Sequence, residues 1–196
     1  MNKEKIALFD FDGTLTRHDT FISFAKFAVG KRRFYLSFLK SAPWLMLWKF
    51  GIITNGDAKQ RLFGFLYKGM PYDVFATLAA RFSSQVNNDL NHVGFTYLKK
   101  HLGLKHKVYI LSASIYEWIA PWATENGVYH VIATRIETDS NGRLTGRFST
   151  PNCHGEEKVR RALAEISSFA DAESWAYGDS KSDGFIFQAS SHHCHI

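Results

Sequence analysis

The chain has 196 residues, of which 45% are hydrophobic and 21% are charged, and its formal net charge at pH 7 is +6. These values exclude a disordered chain, a collagen and a coiled coil, and they fit one globular unit with room for an inserted subdomain. Only four consecutive apolar residues precede the first aspartate, fewer than the roughly 7–15 of a signal peptide, so we expect a cytoplasmic protein. The two cysteines, Cys153 and Cys194, indicate reduced thiols rather than a disulfide framework.

The first half of the chain predicts one strand followed by a helical region. Residues 5–11 are an apolar run that turns polar at Asp10, which predicts a short buried strand. From about 21 to 100, apolar residues recur at helical spacing, with glycine-containing breaks near Gly30, at 51–56 and at 69–71. This pattern predicts a mostly helical insert.

In the second half, predicted strands and helices alternate. The predicted strands cover 107–111, 128–133 and 174–177, with a hairpin at 136–148 around an Asn-Gly turn. The predicted helices cover 115–126, 156–166 and 183–189. The alternation predicts an α/β fold with a mostly parallel sheet and helices on both faces.

Acidic residues follow two of the predicted strands. Asp10 and Asp12 are two residues apart, and Gly13 lets the chain turn so that both can face one cavity. Asp179 and Asp183 follow the last of the three strands, and ligands of parallel sheets bind beyond the carboxyl ends of the strands. Four carboxylates without a nearby histidine favour a hard cation that also binds phosphate, which is best interpreted as Mg²⁺.

A phosphate also needs donors from the protein. Ser112, with the backbone amides that follow it from Ala113 onward, is a candidate, and Lys158 is a second one. These residues leave alternatives open, because Ser112 would also suit the N-cap of the next helix and Lys158 would also suit a solvated helix face.

The order of these segments resembles the four motifs of the haloacid dehalogenase-like hydrolases. The motifs are Asp10–Thr16, the strand that ends at Ser112, Cys153–Lys158 and Gly178–Asp183. More narrowly, the order resembles the phosphoserine phosphatase-like branch (subfamily IB), whose helical cap lies between the first two motifs. The resemblance implies a Rossmann-like core formed by residues 1–17 and 92–196 and an inserted cap formed by residues 18–91.

The resemblance also implies a role for each motif residue. Asp10 would attack phosphorus and form an aspartyl-phosphate, while Asp12 would serve as general acid and then general base. Ser112, Ala113 and Lys158 would bind the phosphoryl oxygens. The implied Mg²⁺ ligands are Asp10, Asp12 through its backbone carbonyl, and Asp179, with Asp183 in or near the coordination sphere. The predicted function is a magnesium-dependent phosphatase that acts on a small phosphomonoester.

Asp12 narrows the reaction class. A dehalogenase has no need of an acid at this position, and the transport ATPases of the superfamily carry lysine there, so both are disfavoured. A phosphomutase would keep both aspartates and stays open. A catalytically silent module that binds a phosphorylated partner is the alternative from another class.

Residues 20–56, which we name the basic aromatic window, contain six basic residues, no acidic residue and nine of the chain's thirty aromatic residues. One interpretation is a cap that packs its aromatic side chains inward. A second is a surface for anionic lipid, as in a lipid phosphatase, and the insert loosely resembles that of bacterial phosphatidylglycerophosphatase in this branch. Nucleic-acid binding is disfavoured because no recognition motif accompanies the charge. The sequence predicts no oligomeric state.

Two smaller features also leave alternatives open. The C-terminal residues His192, His193, Cys194 and His195 suggest either a metal cluster or, as we favour, an alternating edge strand. The pair Asp19-Thr20 either caps the first helix of the insert, which we favour, or contacts substrate.

Overall fold

The computed structural model describes residues 3–196 and contains a five-stranded sheet. Its strands are β1 (Lys5–Phe9), β2 (Lys107–Ile115), β3 (His130–Thr134), β6 (Glu173–Gly178) and β7 (His192–His195), and a separate antiparallel hairpin consists of β4 (Ile136–Thr138) and β5 (Leu144–Phe148). The five strands of the sheet are all parallel, in the order β3-β2-β1-β6-β7. The predicted α/β class with a parallel sheet is confirmed.

Seven α-helices accompany the strands within the described residues. They are α1 (Thr20–Lys49), α2 (Asn55–Tyr67), α3 (Tyr72–Ser83), α4 (His92–Gly103), α5 (Tyr116–Glu125), α6 (Glu156–Glu165) and α7 (Gly184–Gln188). Helices α1 to α3 lie between β1 and β2 in the chain, where the sequence predicts the cap. The domain boundaries given above stay a prediction.

Alternate residues of β1 face opposite sides of the sheet, as the two-residue period of a strand requires. Ala7 and Phe9 belong to one buried apolar cluster, which includes the packed aromatic side chains of α1 to α3. Ile6 and Leu8 belong to a second cluster with residues of α6 and α7. The sheet is therefore covered on both faces, which explains why its central strands read as continuous apolar runs.

The predicted hairpin is present and contacts the helical insert. Its turn is stabilised by the Asp139 carboxylate, which accepts hydrogen bonds from the backbone N–H groups of Asn141 and Arg143 over 2.9 Å each. Helix α2 lies against β5 so closely that a Cβ on Gly64 would stand 3.3 Å from the carbonyl oxygen of Gly146. The hairpin therefore holds α2 in place.

Helix α1 is interrupted at Gly30, where the sequence predicts a break. The backbone at Gly30 is not helical, with φ +78° and ψ 156°, and the helix resumes after this kink and continues to Lys49. The inward-packing interpretation of the basic aromatic window is correct before the kink, where Phe21 and Phe24 are buried, and largely wrong after it, where most aromatic side chains are exposed. No helix among the described residues is long and apolar enough to cross a membrane.

The C-terminal histidines lie in β7, at the edge of the sheet beside β6. The ring of His192 stacks on Trp175 at a centroid distance of 5.0 Å, and that of His193 stacks on Phe187 at 5.2 Å. The alternating pattern of the C-terminus is therefore that of an edge strand.

Candidate active site

Strands β1, β2 and β6 end at the same edge of the sheet, and a cavity of about 360 Å³ opens there. The backbone N–H of Asp10 donates to the carbonyl oxygen of Tyr177 over 2.9 Å, which aligns the ends of β1 and β6. Six of the seven predicted catalytic, phosphate-binding and metal-binding residues line this cavity, and Asp183 does not. The six are Asp10, Asp12, Ser112, Ala113, Lys158 and Asp179.

The side chains of Asp10, Asp179 and Asp183 form a cluster in which one carboxylate oxygen of each lies within 4.8 Å of the others. Two glycines make this approach possible. A Cβ on Gly13, whose φ is +82°, would stand 2.1 Å from Oδ2 of Asp179, and a Cβ on Gly178 would stand 2.5 Å from Cγ of Asp183. The cluster therefore depends on the absence of side chains at both positions.

Lys158 is the buried cation of the cluster, and only 2% of it is exposed. It lies in the first turn of α6, which begins after Gly155 in the left-handed region at φ +61°. Its Nζ lies 3.0 Å from Oδ1 of Asp10 and 2.5 Å from Oδ1 of Asp183. The solvated-lysine interpretation is therefore wrong.

The ion pairs and the burial shift the pKa values of these groups in different directions. Burial raises the pKa of Asp10 to about 7, although Lys158 opposes the shift. Burial also acts to raise the pKa of Asp183, but the ion pair with Lys158 and the hydrogen bonds from Ser180 outweigh it and lower that pKa. The pKa of Lys158 is raised because Asp10 and Asp183 outweigh the effect of burial.

Asp183 has both carboxylate oxygens engaged. Oδ1 pairs with Lys158, and Oδ2 accepts hydrogen bonds from the backbone N–H of Ser180 over 3.0 Å and from its hydroxyl over 2.7 Å. The side chain of Asp183 is fully buried. It therefore positions Lys158 and the loop after β6, and it also contributes an oxygen to the carboxylate cluster.

The carboxylate of Asp12 points to a different set of partners. Its Oδ1 accepts from the backbone N–H of Thr20 over 2.8 Å and from the Thr20 hydroxyl over 2.6 Å, and its Oδ2 accepts from the Ser114 hydroxyl. Burial, followed by the charge of Asp19, raises the pKa of Asp12 against the opposing effect of Lys59 and these hydrogen bonds. The two aspartates of one short motif thus occupy two different environments.

Ser112 and Ala113 lie at the end of β2, where the pairing with β3 is irregular. Ser112 is buried, and its hydroxyl oxygen accepts a hydrogen bond from the backbone N–H of Ser114 over 3.0 Å. Helix α5 begins at Tyr116 after Ile115, with no side-chain cap, so the alternative in which Ser112 caps this helix is wrong.

Three polar contacts of the site are absent from the predictions made from the sequence. Thr20 and Ser114 bind Asp12, and Lys59 of α2 donates from Nζ to the carbonyl oxygen of Ala113 over 3.0 Å. Ser114 is in the polar Ser-Ala-Ser loop and could have been selected, whereas nothing in the sequence around Lys59 distinguishes it from a solvated lysine. The other lining residues not predicted are Arg17, Asn55, His154, Ser180 and Ser182.

Asp19 has the expected role at the start of α1. Its Oδ1 accepts from the backbone N–H of Ile22 over 3.1 Å, which is an N-cap hydrogen bond. The capping interpretation is therefore confirmed, although Asp19 also lines the cavity.

The donor set of the cluster fits a hard divalent cation. All the potential ligand atoms of the cluster are carboxylate oxygens, which Mg²⁺ prefers. Among residues 3–196, no histidine or cysteine belongs to the cluster. Only Lys158 forms ion pairs with these three acids in that range, and one positive charge does not balance three negative ones. Asp10 and Asp179 are the members that have oxygens left for a cation.

Comparison with known proteins agrees with this geometry. A sequence model of the haloacid dehalogenase-like hydrolase family matches residues 7–184. Protein CicA from Caulobacter vibrioides is 31% identical over 182 residues, which cover 91% of this chain and 79% of that protein.

Two solved structures show the same fold. A protein of unknown function from Bordetella pertussis Tohama I has a TM-score of 0.81 and 26% identity, covering 99% of this chain and 90% of that one. A phosphoserine phosphatase solved as a phospho-aspartyl intermediate analogue has a TM-score of 0.65 and 17% identity, covering 99% of this chain and 87% of that one. From the extent of the family match and the identity to CicA, the chain belongs to the haloacid dehalogenase-like hydrolase family.

Proposed function

We propose that the protein is a magnesium-dependent phosphatase that hydrolyses a phosphomonoester through a phosphorylated Asp10. The observation that carries this proposal is that the two aspartates of one motif lie in different environments. Asp10 faces Lys158 and the other acids of the cluster, while Asp12 is held two residues away by Thr20 and Ser114. Two carboxylates in environments that differ this much suit two different chemical roles.

In the first step, an oxygen of Asp10 attacks phosphorus, and the bond from phosphorus to the ester oxygen breaks. The ion pair with Lys158 favours the anionic form of Asp10, which is the nucleophile. The leaving alkoxide takes a proton from the Asp12 carboxyl, so the products are an aspartyl-phosphate, a free alcohol and an ionised Asp12. Burial raises the pKa of Asp12, which favours the protonated form that this step needs.

In the second step, Asp12 removes a proton from a water molecule that attacks the same phosphorus atom. The bond between Asp10 and phosphorus breaks, inorganic phosphate leaves, and both aspartates return to their starting states. The hydrogen bonds from Thr20 and Ser114 favour the ionised form of Asp12 in this step. They also fix its direction, so that one carboxyl group serves both steps.

Three further groups bind the phosphoryl oxygens in this proposal. Lys158 offsets the repulsion between the anionic nucleophile and the anionic substrate. Ser112 and the backbone N–H of Ala113 line the cavity at the end of β2. Asp10, the carbonyl oxygen of Asp12 and Asp179 would hold Mg²⁺, with Asp183 beside them. When bound, the cation neutralises charge on the phosphoryl oxygens.

The proposal is tested with p-nitrophenyl phosphate, with Mg²⁺ and with EDTA. We expect turnover with Mg²⁺, loss of turnover in EDTA, and no turnover above background for Asp10→Asn. Asp171→Asn is the matched control, because Asp171 is exposed and lies away from the cavity. Wild-type turnover equal to that of Asp10→Asn would contradict the proposal and favour the silent binding module.

A further inference from the structure

An apolar stripe lies on the outer face of α1 after the kink at Gly30. Tyr35, Leu39, Met46 and Phe50 follow one another at intervals of four, seven and four residues, which places them on one face of the helix, and Phe50 ends it. Their exposed fractions are 58%, 71%, 59% and 71%. We name these four residues the α1 stripe.

The opposite face of α1 supplies the packing contacts. Phe34, Ser37 and Ser41 are buried there, and α2 lies against this part of the helix, where Trp44 packs on Phe65 at a ring-centroid distance of 5.6 Å. The α1 stripe is therefore not the face that packs α1 into the fold, because the opposite face of the helix packs against α2. Large apolar side chains that form a continuous exposed patch mark an interaction surface.

Cations accompany the stripe. Lys31 and Lys49 are 18 residues apart, which is five helical turns, so they lie along one side of it. Lys40 lies along the other side, and Arg32 is one turn before Tyr35. All four are exposed, and no acidic residue occurs anywhere in the basic aromatic window.

Charge decides between the possible partners. A second copy of the chain in a two-fold arrangement would bring the same cations against themselves, with no acid in the window to pair with them. An anionic bilayer has negative charge at its headgroups, which would attract the flanking cations, and an apolar layer beneath them, which would take up the side chains of the α1 stripe. We propose that the α1 stripe and its flanking cations dock the protein on the surface of anionic lipid bilayers.

The docking surface is close to the mouth of the catalytic cavity. Phe50 and Ile52 are 71% and 67% exposed, and Asn55, three residues after Ile52, lines the cavity. Three residues span at most about 11 Å, so the lipid surface would lie near the cavity entrance. The docking itself does not depend on the proposed phosphatase reaction.

The test is co-sedimentation of the full chain with two kinds of vesicle, phosphatidylcholine alone and an equimolar mixture of phosphatidylcholine and phosphatidylglycerol. We expect at least about tenfold tighter binding to the mixture at low salt, and weaker binding as salt screens the charges. Equal binding to both kinds of vesicle, or no binding to either at low salt, would overturn the proposal.

Two sets of variants separate the apolar contribution from the charge. Leu39→Ser, Met46→Ser and Phe50→Ser combined should reduce binding at least about tenfold, while their control, the exposed residues Val93, Leu104 and Leu163 changed to serine, should bind like the wild type. Lys31→Gln, Lys40→Gln and Lys49→Gln combined should abolish the preference for anionic vesicles, while the same change at exposed Lys99, Lys100 and Lys105 should not.

Two further measurements, of turnover and of oligomeric state, separate lipid docking from the proposed reaction and from dimerisation. Turnover of soluble p-nitrophenyl phosphate should be unchanged in all these variants, because none of the substituted residues lines the cavity. Wild-type vesicle binding with no turnover would support docking and contradict the phosphatase. A dimer in size-exclusion chromatography that the serine variant of the stripe dissociates would overturn docking in favour of a second copy.

Discussion

Thr20 donates two hydrogen bonds to a single carboxylate oxygen of Asp12, from its backbone N–H over 2.8 Å and from its hydroxyl over 2.6 Å. Thr20 is the first residue of α1, so the first helix of the insert is joined directly to the proposed acid and base. The position of the insert and the direction of Asp12 are therefore linked.

Thr20→Val should lower kcat by about tenfold to a hundredfold, since a hydrogen bond to a charged group contributes about 1.5–3 kcal/mol. The loss of the hydroxyl also raises the pKa of Asp12, because this hydrogen bond lowers it. The limb of the pH–rate profile that reports Asp12 should therefore move to higher pH. Thr20→Ser keeps the hydroxyl and should behave like the wild type, and an unchanged profile in Thr20→Val would contradict this role.

Gly13→Ala tests the contact between the first motif and Asp179. A Cβ at Gly13 would stand 2.1 Å from Oδ2 of Asp179, so the carboxylate must move and the Mg²⁺ concentration for half-maximal turnover should rise at least about tenfold. Gly142→Ala is the control, because its φ is also positive, at +68°, but nothing lies within 4 Å of the added Cβ. Equal Mg²⁺ requirements in both variants would contradict this role of the contact between Gly13 and Asp179.

The sequence predicted the parts of the site that local rules determine. Asp10 and Asp12 follow an apolar strand, and Asp179 follows another, so the parallel topology brings them to one edge. Lys59 reaches the site only because α2 packs against the hairpin, which is a tertiary contact with no local signal. The exposure of Tyr35 and Phe50 had no local signal either, because apolar residues occur all around α1 after Gly30 and two serines are on its buried face, so the periodicity does not say which face is buried.

Lys158→Met should destabilise the fold by about 3–5 kcal/mol in the absence of divalent cations, because it leaves the carboxylates of Asp10 and Asp183 buried without their cation. Without the lysine, the pKa of Asp10, which burial already raises, rises further, and the pKa of Asp183 rises because its ion pair is lost. The folded state of the variant therefore binds more protons, and the loss becomes smaller as the pH falls. Urea unfolding at pH 7.5 and pH 5 measures both effects. Lys99→Met, at an exposed position, is the control, and a loss no larger than that of the control would contradict the ion-pair arrangement.

His101 should make the fold sensitive to acid. It is buried, its Nε2 lies 2.8 Å from the Tyr177 hydroxyl oxygen, and burial, followed by the charge of His106, lowers its pKa from 6.5 to about 4. Between these values the unfolded chain binds the proton and the folded chain does not, so the free energy of unfolding should fall by up to about 3 kcal/mol as the pH drops from 6.5 to 4. Urea unfolding across this range measures the slope. His101→Gln should flatten it, whereas exposed His92→Gln should leave it unchanged, and equal slopes would contradict the assignment.

The most direct test of the proposed reaction is to find the phosphoryl group on the protein. Asp12→Asn removes the general base that the second step needs, whereas p-nitrophenolate is a stable anion that leaves in the first step without a proton from Asp12. This variant, mixed with p-nitrophenyl phosphate and Mg²⁺, should therefore release one p-nitrophenolate per protein in a burst and keep the phosphoryl group. Peptide mapping by mass spectrometry should place that group on Asp10, and it should be absent when Asp10→Asn is added. Steady turnover by Asp12→Asn without a burst, or a phosphoryl group on a residue other than Asp10, would contradict the mechanism.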